Sequence, residues 1–148
     1  MASQYIKFLD NFLITQMQKY GVHLLRIALG IVFVWFGALK VFGVSPVLHL
    51  IQSTYTFLPE PAFLIVLGIW EIIIGIGLIF KIFFRATLLL LWMQMFGTLT
   101  APLLEPSIFF NGNVFLLTME GEFVVKNFVL LAASLAIGGY ELKENEKV

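Results

Sequence analysis

Glu71 lies near the middle of a twenty-residue apolar run, Pro61 to Phe80, long enough to cross a bilayer. A carboxylate at that depth costs roughly 2.5–3.5 kcal/mol even on the most lenient insertion scales. It must therefore be protonated, paired, or turned toward a wet interior. At ~1.5 Å of rise per residue, Glu71 sits roughly 15 Å below one end of its run, level with Gln94 of another. Lys40 and Lys126 lie about 6 Å below that same surface, and Arg26 about 5 Å from the opposite one. These spacings predict a charge-assisted contact of Glu71 with Lys40 or Lys126, completed by hydrogen bonds from Gln94.

Each group has a plainer reading beside the functional one. Lys40 and Lys126 are shallow enough to snorkel to the headgroups. Lys126 also stands four residues after Glu122, the favourable order for a helix ion pair. Arg26 can serve as the anchor of its span, and Gln94 and Asn127 as interhelical hydrogen-bonding groups without a ligand. Glu71 resists such a reading best, because from midplane it cannot snorkel, although a structural buried pair stays open.

The elements that must position these groups are apolar helices. The chain has 148 residues, one domain by length, 60% of them hydrophobic and 12% charged. A soluble globule carries about 25% charge. Four stretches are long enough to span, at about 23–44, 61–80, 86–101 and 122–139, with Pro102 ending the third. Residues 1–22 read as an amphipathic interfacial helix, with Tyr5, Phe8, Leu9, Phe12 and Leu13 on one face and a turn inward at Gly21. They lack the basic start, apolar core and cleavage site of a signal peptide. Residues 140–148 read as a tail. The expected fold is all-α: a polytopic membrane four-helix bundle with the interfacial N-terminal helix and a short helix in the first outer loop.

Seven of the nine basic residues (Lys7, Lys19, Arg26, Lys81, Arg85, Lys143 and Lys147) fall on the side shared by both termini. The positive-inside rule makes that side cytoplasmic. The connections on the other side are the longer ones. Ser45 to Glu60 carries Val47, Leu48, Ile51 and Tyr55 at helical spacing, and 105–121 carries Phe109, Phe110, Phe115 and an Asn111-Gly112-Asn113 turn signal. The 81–85 turn is tight, which makes the second and third spans antiparallel neighbours.

Polar and small residues recur on one face of every span. Arg26, Gly30, Phe33, Gly37 and Lys40 step by 4, 3, 4 and 3, so they share a narrow arc of the first helix. Gly68, Glu71 and Gly75 do the same on the second, and Thr87, Gln94, Thr98 and Ala101 on the third. Asn127, Ser134 and Gly138 follow on the fourth, with Glu120 one heptad before Asn127. Such stripes mark helix–helix interfaces in membranes. Together they predict a bundle with a polar seam.

Several chemistries are excluded. With no cysteine the chain cannot exchange disulfides by itself. His23 and His49 fall on opposite faces, so they do not share a haem, and no cluster has metal-ligand spacing. There is no phosphate loop, nucleophile elbow or nucleic-acid patch.

The runs LLRIALGIVFVWFGALKVFGVSP (24–46), IWEIIIGIGLIF (69–80) and LTMEGEFVVKNFVLLAA (117–133) resemble the DoxX-like superfamily. Within it they are most similar to the YkgB/RclC-type inner-membrane proteins associated with reactive chlorine resistance. The resemblance spans roughly residues 20–140. Trp35, Phe36, Gly37 and Lys40 match a W-F-G-x-x-K element, and Trp70, Glu71 and Gly75 match W-E-x-x-x-G. Thr118, Glu120, Gly121, Lys126 and Asn127 match T-x-E-G-x-x-x-x-K-N, with Glu122 standing where glutamine is expected. The resemblance implies a four-span bacterial inner-membrane protein of redox or oxidant-stress response and carries over no established catalytic residue. It adds Trp35 and Trp70 to the candidates Glu71, Lys40, Lys126, Asn127, Gln94, Glu120 and Arg26.

Three functions fit these features. The first is binding of a quinone-like molecule beside an oxidoreductase, the second a scaffold subunit of a membrane complex or homo-oligomer. The third is a small proton-coupled transporter using Glu71. No electron-carrying cofactor has ligands here, so catalysis by this chain alone is not expected. The lipid bilayer is the one partner the composition demands.

Overall fold

A computed structural model describes residues 2–46, 50, 51, 54 and 62–145, with side chains from 6 to 143. Six helices lie wholly among the described residues: α1 (Ala2–Val41), α2 (Ala62–Phe80), α3 (Phe84–Leu104), α4 (Pro106–Phe109), α5 (Met119–Val125) and α6 (Asn127–Asn145). Among the described residues, Ile6–Val41, Ala62–Phe80, Phe84–Leu104 and Met119–Lys143 are long and apolar enough to cross a membrane. No strand is present among them, only an isolated antiparallel bridge between Phe110 and Leu117. The fold is an all-α, polytopic membrane bundle.

The helices close a ring in which α1 packs on α2 and α6, and α3 packs on the same two. The tightest seam is α1 against α2, and glycine is the reason. A Cβ on Gly37 would stand 2.5 Å from the Gly68 carbonyl oxygen, and one on Gly75 2.6 Å from that of Gly30. The pairs 30/75 and 37/68 cross in antiparallel register, so the two backbones touch at two levels. Close approach of this kind replaces the missing hydrophobic drive between helices in lipid. Inside the ring lie Leu29, Phe33, Ile74, Leu78, Leu88, Leu91 and Ile137. Ile69, Ile73, Ile76, Leu89, Met93 and Val129 face outward, where hydrocarbon would cover them.

Several boundaries differ from the sequence expectation. The turn at Gly21 is absent: α1 is one helix of 40 residues, about 60 Å long at its rise. A glycine costs a helix only about 1 kcal/mol relative to alanine, and the flanking apolar turns outweigh it. Ile6, Phe8, Leu9, Phe12, Leu13 and Met17 are all exposed, uncovered by any of the described residues. The third helix runs past Pro102 to Leu104: the proline removes one backbone bond, the one its position would make to the Thr98 carbonyl, without ending the helix. The fourth span continues beyond Gly139, so residues expected in the tail are helical through Asn145. Of the expected loop helix in 45–60, Leu50, Ile51 and Thr54 are helical, while Val47, Leu48 and Tyr55, like His49, lie outside the described residues.

The short turn after α2 makes α2 and α3 antiparallel neighbours, as its length predicts. Lys81 and Phe83 adopt left-handed backbone, φ 56° and 44°. Non-glycine residues occupy that region at a cost of roughly 1–3 kcal/mol. Ile82 N–H donates to the Gly77 carbonyl at 3.2 Å, and the Thr87 hydroxyl donates to the Ile82 carbonyl at 2.9 Å. These bonds hold the turn closed.

Candidate functional site

The four spans leave a terminal end, shared by residue 2 and residue 145, and a loop end, where residues 42–61 and 105–118 connect the helices. At the loop end the predicted pair forms. Lys40 Nζ stands 2.6 Å from Glu71 Oε2, with the lysine side chain 6% exposed and the glutamate 10%. Gln94 Nε2 donates to the other carboxylate oxygen at 2.5 Å. Each helix of the ring but the last supplies one group: α1 the cation, α2 the anion, α3 the amide. The glycines make this reach possible. Gly68 and Gly75 flank Glu71 by one turn on either side, and Gly37 precedes Lys40, so both side chains start from backbones already in contact. Lys40 is therefore buried in an ion pair and does not snorkel.

Beside the pair opens a cavity of about 870 Å³, lined by apolar side chains including Phe33, Phe36, Leu67 and Phe123. Trp70 lines it too, with its indole N–H donating to the Leu90 carbonyl at 3.2 Å, so the ring is fixed. The polar lining is Lys40, Glu71, Gln94, Thr54, Thr98, Lys126 and Asn127. Thr54 and Asn127 are 5% and 6% exposed. Three of these residues carry a buried atom without a hydrogen-bond partner: Thr54 Oγ1, Gln94 Oε1 and Asn127 Nδ2. Exposed Val66, Met93 and Val129 also line the cavity, so it reaches the lipid-facing surface of the bundle.

Asn127 is held in place by a capped hairpin. Thr118 Oγ1 accepts the Gly121 N–H at 3.0 Å and donates to the Ile108 carbonyl at 2.7 Å, capping α5 and tying it to α4. Gly121 leaves room for the Phe109 carbonyl, which a side chain would strike. Glu120 and Glu122 occupy the first turn of α5, where carboxylates favour the helix dipole. The T-x-E-G element is thus a helix start, and Glu120 does not line the cavity.

Other candidates fall elsewhere. Lys126 touches the cavity rim but is 72% exposed, and its ammonium stands 3.9 Å from Glu122, four residues back. It does not reach Glu71, because adjacent Asn127 faces inward and a helix turns about 100° per residue. Trp35 is 65% exposed on the outer face of α1, outside the cavity.

Arg26 belongs to a second buried cluster at the terminal end. Its Nε donates to Glu141 Oε1 at 2.9 Å, and its Nη1 donates to the Ile79 carbonyl at 2.8 Å and to that of Leu78. Lys81 Nζ pairs with Glu141 Oε2, and His23 Nε2 lies 3.9 Å from Oε1. The Glu141 side chain is 0% exposed. A fourth span expected to end at Gly139 leaves Glu141 out of the bundle, so the sequence does not put it among the candidates. A signal exists nonetheless: Ser134, Gly138 and Glu141 step by 4 and 3, as Arg26 to Lys40 do.

Among the described residues no group of three His, Asp or Glu side chains could hold a metal ion. No curated protein and no solved structure matches the chain. The DoxX family model matches residues 21–103, over half of the sequence. That match contains the glycine seam between α1 and α2 and all three members of the Lys40–Glu71–Gln94 site, and on it the chain belongs to the DoxX family.

Proposed function

We propose that this DoxX-family membrane protein serves redox or oxidant-stress chemistry by binding a quinone-like small molecule in the loop-end cavity. The observation that carries the reading is the cavity itself: about 870 Å³, mostly apolar, with the Lys40–Glu71–Gln94 cluster and Asn127 in its lining. Small-molecule sites measure roughly 300–1,000 Å³ and have this composition. A flat ring would lie among Phe33, Phe36, Trp70 and Phe123, with a ring oxygen accepting from Asn127 Nδ2. The opening toward lipid suits a ligand that partitions into the bilayer. The excess of basic residues at the terminal end favours a cytoplasmic orientation for it, and the site then falls in the outer half of a bacterial inner membrane. The likeness to reactive-chlorine-resistance proteins agrees with this role.

Trp70 supplies the test, because quinones quench indole fluorescence at contact. A short-chain benzoquinone titrated into purified protein should give a saturable quench that disappears in Trp70→Phe. Lipid-facing Trp35 should give only the linear quench of a partitioning solute. A linear response alone would reject the proposal.

A second reading, an interaction subunit, rests on the uncovered apolar side chains of residues 6–17. Removing residues 2–20 should release a co-purifying partner if that face docks one. An unchanged set of co-purifying proteins would reject it.

A further inference from the structure

We infer that the loop-end cavity is matched to a ring ligand bearing hydroxyl groups, and therefore binds the reduced, quinol form more tightly than the quinone. The inference rests on the reading of the cavity as a ring-ligand site and adds which form it selects. Its basis is the donor and acceptor inventory of the lining. Gln94 has its orientation set by Glu71: a carboxylate needs a donor, so the amide N–H points at it. The amide oxygen is left as a buried acceptor without a partner. Asn127 Nδ2 is a buried donor without a partner, and the Thr54 hydroxyl can do either. Lys40 and Glu71 meanwhile answer one another.

A quinone carries two carbonyl acceptors and no donor. It can meet Asn127 and Thr54, but it leaves Gln94 Oε1 unpaired or facing another lone pair. Each hydroxyl of a quinol both donates and accepts, so one hydroxyl can give its proton to Gln94 while an oxygen accepts from Asn127. A site built to hydrogen-bond a ligand hydroxyl discriminates against the analogue lacking it, because its own buried group goes unpaired. The expected preference is about tenfold or more, the usual effect of one unmet buried acceptor. By linkage, a tenfold preference for the reduced form raises the midpoint potential of the bound two-electron couple by about 30 mV.

The experiment is anaerobic equilibrium binding of a decyl-substituted benzoquinone and its hydroquinone to the purified protein in detergent. Tighter hydroquinone binding, with a matching upward shift of the bound couple's potential, is the expected result. Gln94→Met should bring the ratio close to one, and Asn127→Leu should weaken both forms. Equal affinities, or tighter quinone binding, would overturn the inference while leaving the cavity as a binding site. Absence of saturable binding by either form would overturn the site reading itself. The wild-type comparison needs no variant, so poor folding of Gln94→Met leaves it decisive.

Discussion

Two carboxylates are buried among the described residues of this bundle, and they are answered differently. Glu141, at the terminal end, meets Arg26 and Lys81, with His23 close by, in a cluster with more cations than anions. Arg26 is further tied to two backbone carbonyls of α2. Glu71, at the loop end, has one lysine and one amide, and the residues around it that line a cavity keep buried atoms without partners. Both clusters are anchored on the same face of α1, about 21 Å apart by its rise. The lesson is that a buried ion pair alone does not mark a binding site. What separates the two is the open, mostly apolar volume beside Glu71, which Arg26 and Glu141 do not line. The terminal cluster holds helices α1, α2 and α6 together; the loop-end cluster is proposed to hold a ligand as well.

Breaking the terminal cluster should have the largest effect. Glu141→Leu leaves Arg26 and Lys81 without their anion, and loss of one partner of a buried pair costs about 3–5 kcal/mol. Thermal unfolding in detergent should show the protein strongly destabilised or unfolded. A small change in Tm would mean that the cluster is wetter than its burial implies. Next comes the loop-end pair. Lys40→Met alone leaves Glu71 unpaired and should destabilise by a similar order, whereas Lys40→Met with Glu71→Leu should recover stability, since well-packed apolar replacements of buried pairs are often neutral or stabilising. The double variant should nonetheless bind ligand more weakly, since Gln94 loses the carboxylate that orients its amide. Failure to recover would assign the pair a structural role like that of Glu141.

The seam between these clusters is legible in the amino-acid sequence, and so is most of the loop-end site. Gly30, Gly37, Gly68 and Gly75 declare themselves by helical spacing, and depth along a helix puts Lys40, Glu71 and Gln94 at compatible levels. Periodicity also puts Asn127 on the polar stripe of the fourth span, and Asn127 is buried while Lys126 is not. What depth along the helix does not set is which lysine, Lys40 or Lys126, meets Glu71. Arg26 is recognisable as lying near a membrane surface, but its partner Glu141 falls beyond the point where hydropathy drops and a span boundary would be drawn. Thr54 sits on a connection whose packing no repeat predicts. The cavity arises from side chains of separate helices and from that connection, and has no local signature.

Smaller effects sharpen the contrast further. Gly75→Leu should wedge α1 from α2 and cost about 1–3 kcal/mol, the usual range for overpacking. Because Gly75 lies between the clusters, ligand affinity and stability should fall together, measured by binding and thermal unfolding on one sample. Unchanged behaviour would show that the helices can slide apart without penalty. Lys126→Ala, at the exposed end of the contrast, should leave Tm unchanged, as exposed ion pairs contribute little. A clear drop would place Lys126 in the working site after all.

The most direct measurement is ligand-induced thermal stabilisation, compared between wild type and the Lys40→Met/Glu71→Leu double variant. With a short-chain hydroquinone in excess, the wild-type Tm should rise with ligand concentration, by mass action on the folded state. The double variant should match or exceed the wild-type Tm without ligand and show a markedly smaller concentration-dependent rise. A double variant that keeps the full rise would contradict the account, because ligand affinity would then not depend on Glu71 orienting Gln94.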